Sequence, residues 1–292
     1  MAARSSGPSR ELAAAERFCR RLALEHYENF IVASVLLPGS MRQAFYNVYA
    51  YCRWADDLAD LSATPTVARE RLLDWRRQLS ACFAGQSEHP IFVALGDMIP
   101  RFALRQQPFD ELLDAFLQDQ SKTRYQNFDE LLDYCRRSAD PVGRIVLRLA
   151  DSDTDADNLK LSDSICTGLQ LCNHWQDVAR DFQIGRVYLP LQDAERFGVD
   201  VEQIGSDRQR EAFCQLLRFE CTRAEQLLRC GITLANRVPS WLAKDLRLMV
   251  HGGFATLDAI ARINYDVLKM RPRVSRLRQI GLMTAAALGR LD

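Results

Sequence analysis

Arg53-Trp54-Ala55-Asp56-Asp57-Leu58-Ala59-Asp60 ends an apolar-rich stretch that begins near Met41. Asp56 and Asp60 are four residues apart, so on a helix of 3.6 residues per turn they project from one face about 40° apart. A second stretch, Asn173-His174-Trp175-Gln176-Asp177-Val178-Ala179-Arg180-Asp181, again sets polar groups at i, i+4 and i+8. Like charges at that spacing cost a helix roughly a few tenths of a kcal/mol, and Asp is a poor helix former. One such pair reads as a solvated face. Two pairs, both beside tryptophan and aliphatic residues, point to chemistry. If the two helices face each other across a bundle, four carboxylates converge on one cavity. Carboxylate oxygens with retained waters suit Mg²⁺, which completes its shell with substrate phosphates.

Outward from these stretches the chain reads as helix almost throughout. Apolar residues recur at three- and four-residue intervals, as in Leu72, Leu73, Trp75, Leu79 and Phe83, or Leu112, Leu113, Phe116 and Leu117. The pattern predicts helices near 10–25, 40–61, 66–84, 90–104, 108–121, 128–138, 140–151, 157–182, 206–236 and 239–289, the last broken by Pro272. Turn residues cluster at Pro38-Gly39, Thr64-Pro65, Gly85, Pro108, Pro141 and from Gly185 to Pro190. Strand-like alternation is confined to short runs such as Val187 to Leu191. No linker or repeat divides the 292 residues, so the expectation is one all-α domain spanning 1–292, with residues 1–10 as a flexible tail.

Composition narrows the function. Lys+Arg and Asp+Glu both total 38, which leaves no basic surplus for a general nucleic-acid binder. No run of eighteen apolar residues occurs, and Met1 to Arg10 is unlike a signal peptide, so an intracellular protein is expected. The nine cysteines form no C-x-x-C and fall in helical segments around Cys19, Cys52, Cys135 and Cys221, as small buried hydrophobes do. The four histidines form no H-E-x-x-H, which argues against zinc. Asp151-Ser-Asp153-Thr-Asp155-Ala-Asp157 has Ala156 and Ser162 where a calcium loop needs Gly and Glu, and reads as a turn with an Asp helix cap. His251-Gly252-Gly253 fits either tight helix packing or close approach to a substrate, and Ile280 to Leu288 either a core helix or an interfacial contact. No G-x-G-x-x-G occurs.

The groups around the aspartates suit a diphosphate. Arg53 lies one turn before Asp56 and can donate a fork of hydrogen bonds to phosphate oxygens. Gly185-Arg186-Val187-Tyr188-Leu189-Pro190 sets another Arg and a Tyr hydroxyl just beyond Asp181. Such donors, with metal ions, stabilise the charge on a departing diphosphate. The carbocation left behind needs an aromatic-lined pocket. Phe30, Phe45, Tyr46, Tyr49 and Trp54 are candidates, with Tyr49, one turn before Arg53, the foremost and the rest better explained as core.

Arg53-x-x-Asp56-Asp57-x-x-Asp60 and Gln170-x-x-Asn173-x-x-x-Asp177-x-x-x-Asp181 resemble the two aspartate-rich motifs of the squalene/phytoene synthase family. Tyr134-Cys135 with Ala139-Asp140-Pro141-Val142-Gly143, and the Gly185–Pro190 turn, resemble further segments of that family, in order from about His26 to Arg273. The resemblance implies an all-α isoprenoid-synthase-type helical bundle with a central cavity. It implies Mg²⁺ held by Asp56, Asp60, Asp177 and Asp181, and a diphosphate held by Arg53, Arg186, Tyr188 and Tyr265. Gln170, Asn173 and His26 would then be polar groups near the cation or water.

His26-Tyr27-Glu28-Asn29-Phe30 and Asn173-His174-Trp175-Gln176-Asp177 are similar to the bacterial hydroxysqualene synthase branch of the family. Head-to-head condensing members usually carry two serines and a basic residue where Tyr27, Glu28 and Asn29 stand, and an aromatic residue where Arg136 stands. The resemblance therefore implies that presqualene diphosphate is the substrate, with Tyr27 and Asn29 among the residues that bind it, and that water captures the cation to give hydroxysqualene. The alternatives are a condensing synthase acting on farnesyl or geranylgeranyl diphosphate, or a non-catalytic assembly factor on the same fold. Expected partners are an isoprenoid diphosphate, no nucleic acid, and a transient contact with a membrane surface or with neighbouring pathway enzymes.

Overall fold

The computed structural model describes residues 10–25, 37–152 and 154–291, which are helical with no strand among them. His26, Tyr27, Asn29 and Phe30, singled out above, and the tail before Arg10 lie outside the described residues. The chain separates into two compact units, Met1–Gln120 and Ser121–Asp292.

The first unit holds α1 (Arg10–Glu25), α2 (Gly39–Asp60), α3 (Pro65–Phe83), α4 (Pro90–Phe102) and α5 (Gln107–Gln118). Helix α3 starts at a cap: Thr64 accepts a hydrogen bond from the Val67 N–H at 3.3 Å, with Pro65 at the first helical position. The core is aromatic. Tyr51, Trp75, Phe92 and Phe109 are all at most 2% exposed. The Trp75 and Phe92 rings lie 4.2 Å apart, and Phe109 meets Tyr51 edge-on at 5.1 Å. The buried Tyr51 hydroxyl donates to the Phe109 carbonyl at 3.0 Å, so its desolvation is compensated. Side chains of this size typically contribute about 3–5 kcal/mol against truncation to alanine. Trp54 stacks on Trp75 at 6.1 Å and meets His89 at 5.0 Å, which makes it part of this packing.

The second unit holds α6 (Phe128–Ser138), α7 (Asp140–Leu149), α8 (Ala156–Gln183), α9 (Leu191–Arg196), α10 (Arg210–Gly231), α11 (Ser240–Arg262) and α12 (Arg276–Ala287). The long helix α8 is its axis, packed against α7, α10 and α11. Asp155 caps it, accepting from the Asn158 N–H at 2.7 Å, so the Asp-rich run serves as a helix start. Neighbouring helices approach α8 closely through glycine. A Cβ on Gly143 would stand 2.3 Å from Ser162 Oγ, and one on Gly231 would stand 2.5 Å from Ile165 Cγ1 and 2.9 Å from its backbone. Gly253 meets Leu228 and Leu169 in the same way, whereas Gly252 has nothing within 4 Å. Helix packing therefore accounts for the second glycine of the His251-Gly252-Gly253 segment.

Three elements differ from the pattern read along the chain. Val187 to Leu191 is not a strand: Val187 and Leu191 N–H groups donate to the Thr123 and Tyr125 carbonyls, each at 2.9 Å, and Leu191 already begins a helix. A short helix, α9, follows directly after the expected turn, where no helix is expected. The helix expected to run to Pro272 stops at Arg262, because Asn264 and Tyr265 take left-handed backbone with φ of 52° and 62°. The Tyr265 N–H returns to the Ile260 carbonyl at 3.0 Å and closes the end. No glycine or proline marks this stop; Asn264 suits the left-handed region, whereas Tyr265 adopts it against its ordinary preference.

Asp245 on α11 is 2% exposed, its Oδ1 has no hydrogen-bond partner, and burial pushes its carboxyl up to about 7. The folded state thus keeps a proton that the unfolded state loses near the ordinary carboxylate range. Stability from this group is fully present below that range and is lost as pH rises through about 7. Asp245→Asn, which mimics the protonated acid, should be more stable than wild type at pH 8 by on the order of 4 kcal/mol. The difference should vanish below about pH 4. Denaturant melts of both proteins across this range check the sign. A constant offset at all pH values would place the ionisation elsewhere.

Candidate active site

Each aspartate motif stands on one face of its helix, and each is met by an arginine. In the first unit, Arg53 Nη1 donates to Asp56 Oδ2 at 3.0 Å, and its Nη2 pairs with Asp57. All three side chains are partly buried, and Arg53 Nε is buried without a partner. Asp60 is the exposed last residue of α2. Tyr49, one turn before Arg53, is partly buried. Desolvation raises its hydroxyl above the ordinary value, while the Arg53 charge opposes this.

In the second unit, Arg271 reaches Asp177 with two nitrogens, Nε pairing with Oδ1 and Nη2 donating to Oδ2 at 3.0 Å. Gln176 Nε2 donates to the Pro272 carbonyl at 2.8 Å. The segment after α11 is thereby strapped across the motif helix. Asp181 and Arg186 line one narrow cavity with His174 and Tyr188. The turn that places them is local: the Arg186 N–H donates to the Asp181 carbonyl at 2.8 Å, and Gly185 supplies a φ of 81°.

His174, which lines this cavity, is 6% exposed, its ring stacked on Tyr188 at 3.7 Å. Gln170 Nε2 lies 3.3 Å from His174 Nε2. Burial, aided by the Arg186 charge, lowers the imidazole to about 3, so it is neutral at ordinary pH. Tyr188 is itself buried, stacked on Tyr125 at 5.7 Å. Asn173 is exposed. Tyr265 sits in the left-handed turn that ends α11.

Among the described residues no three His, Cys, Asp or Glu side chains gather into a metal-holding cluster, and each motif supplies a pair of carboxylates. Asp56, Asp60, Asp177 and Asp181 all keep some solvent exposure. Oxygen donors at wet positions fit Mg²⁺, a hard cation that dehydrates reluctantly.

The model of the family described as squalene/phytoene synthase matches residues 23–278. The chain belongs to this family. Its members are isoprenoid synthases. A hydroxysqualene synthase of Sinorhizobium fredii is 36% identical over 85% of this chain and 82% of its own. A 15-cis-phytoene synthase of Synechocystis is 32% identical over 97% of this chain and 88% of its own. The crystal structure of squalene synthase HpnC from Alicyclobacillus acidocaldarius superimposes with a TM-score of 0.84 at 40% identity, covering 89% of this chain and 97% of that one. No described helix is long and apolar enough to cross a membrane.

Three features of the site escape a reading of the motifs alone. Asp57 is bound by Arg53, and its spacing of four from that residue was the available signal. His174 is a buried ring partner of Tyr188, foreshadowed only by its offset from the aspartate face. Arg271 gives no signal, being 94 residues from Asp177. Arg271→Gln removes the bidentate contact, and because Arg271 is 47% exposed the stability cost should be below about 1 kcal/mol. Trypsin should then cut after Lys269 several-fold faster, since the strap has lost its anchor. Unchanged cleavage kinetics would show that Gln176 and Pro272 hold the segment without Arg271.

Proposed function

We propose that the protein converts presqualene diphosphate and water to hydroxysqualene and diphosphate. The observation that carries this reading is the segment Tyr27-Glu28-Asn29, where condensing relatives usually place two serines and a basic residue. The 36% identity to a hydroxysqualene synthase agrees with it. The carbon–oxygen bond to the diphosphate breaks, the cyclopropane opens, water adds its oxygen to the cation, and the released proton passes to the diphosphate. Mg²⁺ bound by Asp56, Asp60, Asp177 and Asp181 would neutralise charge on the leaving group.

The chain's own residues have separable tasks in this scheme. Arg53 and Arg186 donate hydrogen bonds to diphosphate oxygens, Arg53 exchanging its contacts with Asp56 and Asp57 for phosphate. Tyr188 and Tyr265 contribute hydroxyls to the same group, and Tyr49 presents an aromatic face to the cation. Asn173 and Gln170 hold the water, with His26, Tyr27 and Asn29 completing the substrate contacts. His174 stays neutral, so it adds no positive charge to repel the cation. The family match runs from residue 23 to 278 across both compact units, which supports treating the chain as one synthase domain.

A second reading, a head-to-head condensing synthase, is favoured by the phytoene synthase relative that matches 97% of this chain. Product analysis separates the two. With Mg²⁺ and presqualene diphosphate, the protein should form hydroxysqualene whether or not NADPH is present, and ¹⁸O from labelled water should enter the alcohol. Farnesyl or geranylgeranyl diphosphate alone should give little condensed product. Efficient condensation, an unlabelled alcohol, or squalene that forms only with NADPH would overturn the proposal.

Asp177→Asn tests the carboxylate. It removes one formal charge from a position with solvent access, so turnover should fall at least about a hundredfold, in the range seen when one charge-stabilising group is lost. The thermal melt should stay near wild type. Near-normal turnover would remove Asp177 from the chemistry.

A further inference from the structure

Helix α12 is apolar on two faces, and only one of them is covered. Leu282 and Ala286 are buried, at 7% and 1% exposure, on the side that packs against α11. Leu277, Ile280, Gly281, Thr284 and Leu288 recur at i, i+3, i+4, i+7 and i+11 and form a single stripe on the other side. All five are exposed, Leu277 by 83%, Ile280 by 60% and Leu288 by 59%. A helix with apolar residues on both sides calls for an apolar phase on each.

The charges beside the stripe say which phase. From Lys269 to Leu291 the chain has five arginines and no acidic residue. Arg271 is engaged with Asp177, while Arg273, Arg276, Arg278 and Arg290 are exposed. Arg276 and Arg278 flank Leu277 in sequence and so project about 100° to either side of it. Lys244 and Arg247 on α11 line a cavity of about 400 Å³ that also touches Ala286 and Gly289, adding positive charge at the far end of α12. Two copies meeting stripe to stripe about a two-fold axis would bring these arginine rims together. An anionic surface would instead neutralise them.

We propose that α12 docks on an anionic phospholipid surface. Leu277, Ile280 and Leu288 enter the headgroup–acyl boundary while the flanking arginines meet lipid phosphates. This holds whatever reaction the protein catalyses, so its test needs no substrate.

The full-length protein is floated with vesicles of phosphatidylcholine alone, or of phosphatidylcholine with one-third phosphatidylglycerol. It should float with the anionic vesicles and stay behind with the neutral ones, and salt should release it. Leu277→Asp combined with Ile280→Asp should abolish flotation while the circular-dichroism melt is kept, since both side chains are exposed. Arg276→Gln combined with Arg278→Gln perturbs the fold still less and should weaken partitioning about thirtyfold. Three results would overturn the proposal. They are no flotation of wild type with anionic vesicles, equal flotation of the variants, or a concentration-dependent dimer in sedimentation that the Leu277/Ile280 double variant loses.

Discussion

The close approach of helices to α8 is the constraint on which the second unit depends. One side of this helix is packed so tightly that single methyl groups are excluded at Gly168 and Gly231. Such packing density is sensitive to one methylene and transmits displacement. It therefore fixes the rotation of α8 about its own axis. With that side set by glycine contacts, Asp177 and Asp181 project from the opposite side, and Trp175 turns inward. The position of the acidic face is thus a consequence of packing on the opposite face.

Charge is managed differently at the wet and dry sites. At the wet motifs, arginine offsets the like-charge spacing of the aspartates: Arg53 sits within the motif helix, and Arg271 arrives from the segment beyond α11. Both contacts are partly solvated and exchangeable, as suits residues that meet a charged ligand. In the interior the carboxylates have more confined partners. Asp140 accepts from Thr167 at 2.8 Å, and its carboxyl is raised to about 7 chiefly by burial, with the nearby Asp163 adding to it. Glu220 is completely buried against Arg223, and burial lifts it to about 8 even though Arg223 pulls it down. Arg223 also binds Asp193 of α9 at 2.6 Å and lies over the Phe128 and Phe219 rings. Removing Arg223 would leave the nearly buried Asp193 carboxylate without its ion-pair partner.

Helix content, most helix boundaries and both aspartate motifs were legible in the sequence because they are local properties. A 3.6-residue apolar period, a capping Thr64 or Asp155 and a spacing of four depend only on backbone geometry and near neighbours. Membership of the squalene/phytoene synthase family was legible for the same reason, since its motifs are spacings of Asp, Asn and Arg along single helices. The stop at Arg262 was not, because Asn264 in left-handed backbone is one of several permitted states for that residue, and its neighbours choose among them.

What tertiary structure alone decided are the interactions between residues far apart in sequence. Nothing in the run of residues around Asp177 announces Arg271, and nothing in His174 announces a stack on Tyr188 at 3.7 Å or the burial that keeps it neutral. The sequence by itself established that Ile280 to Leu288 forms an apolar segment too short to span a bilayer. Only the packed structure decided which of its residues are covered by α11 and which remain exposed. The physical reason is the same in each case. Local geometry determines which residues share a face, whereas burial, and with it charge state and exposure, is a property of what the rest of the chain brings against that face.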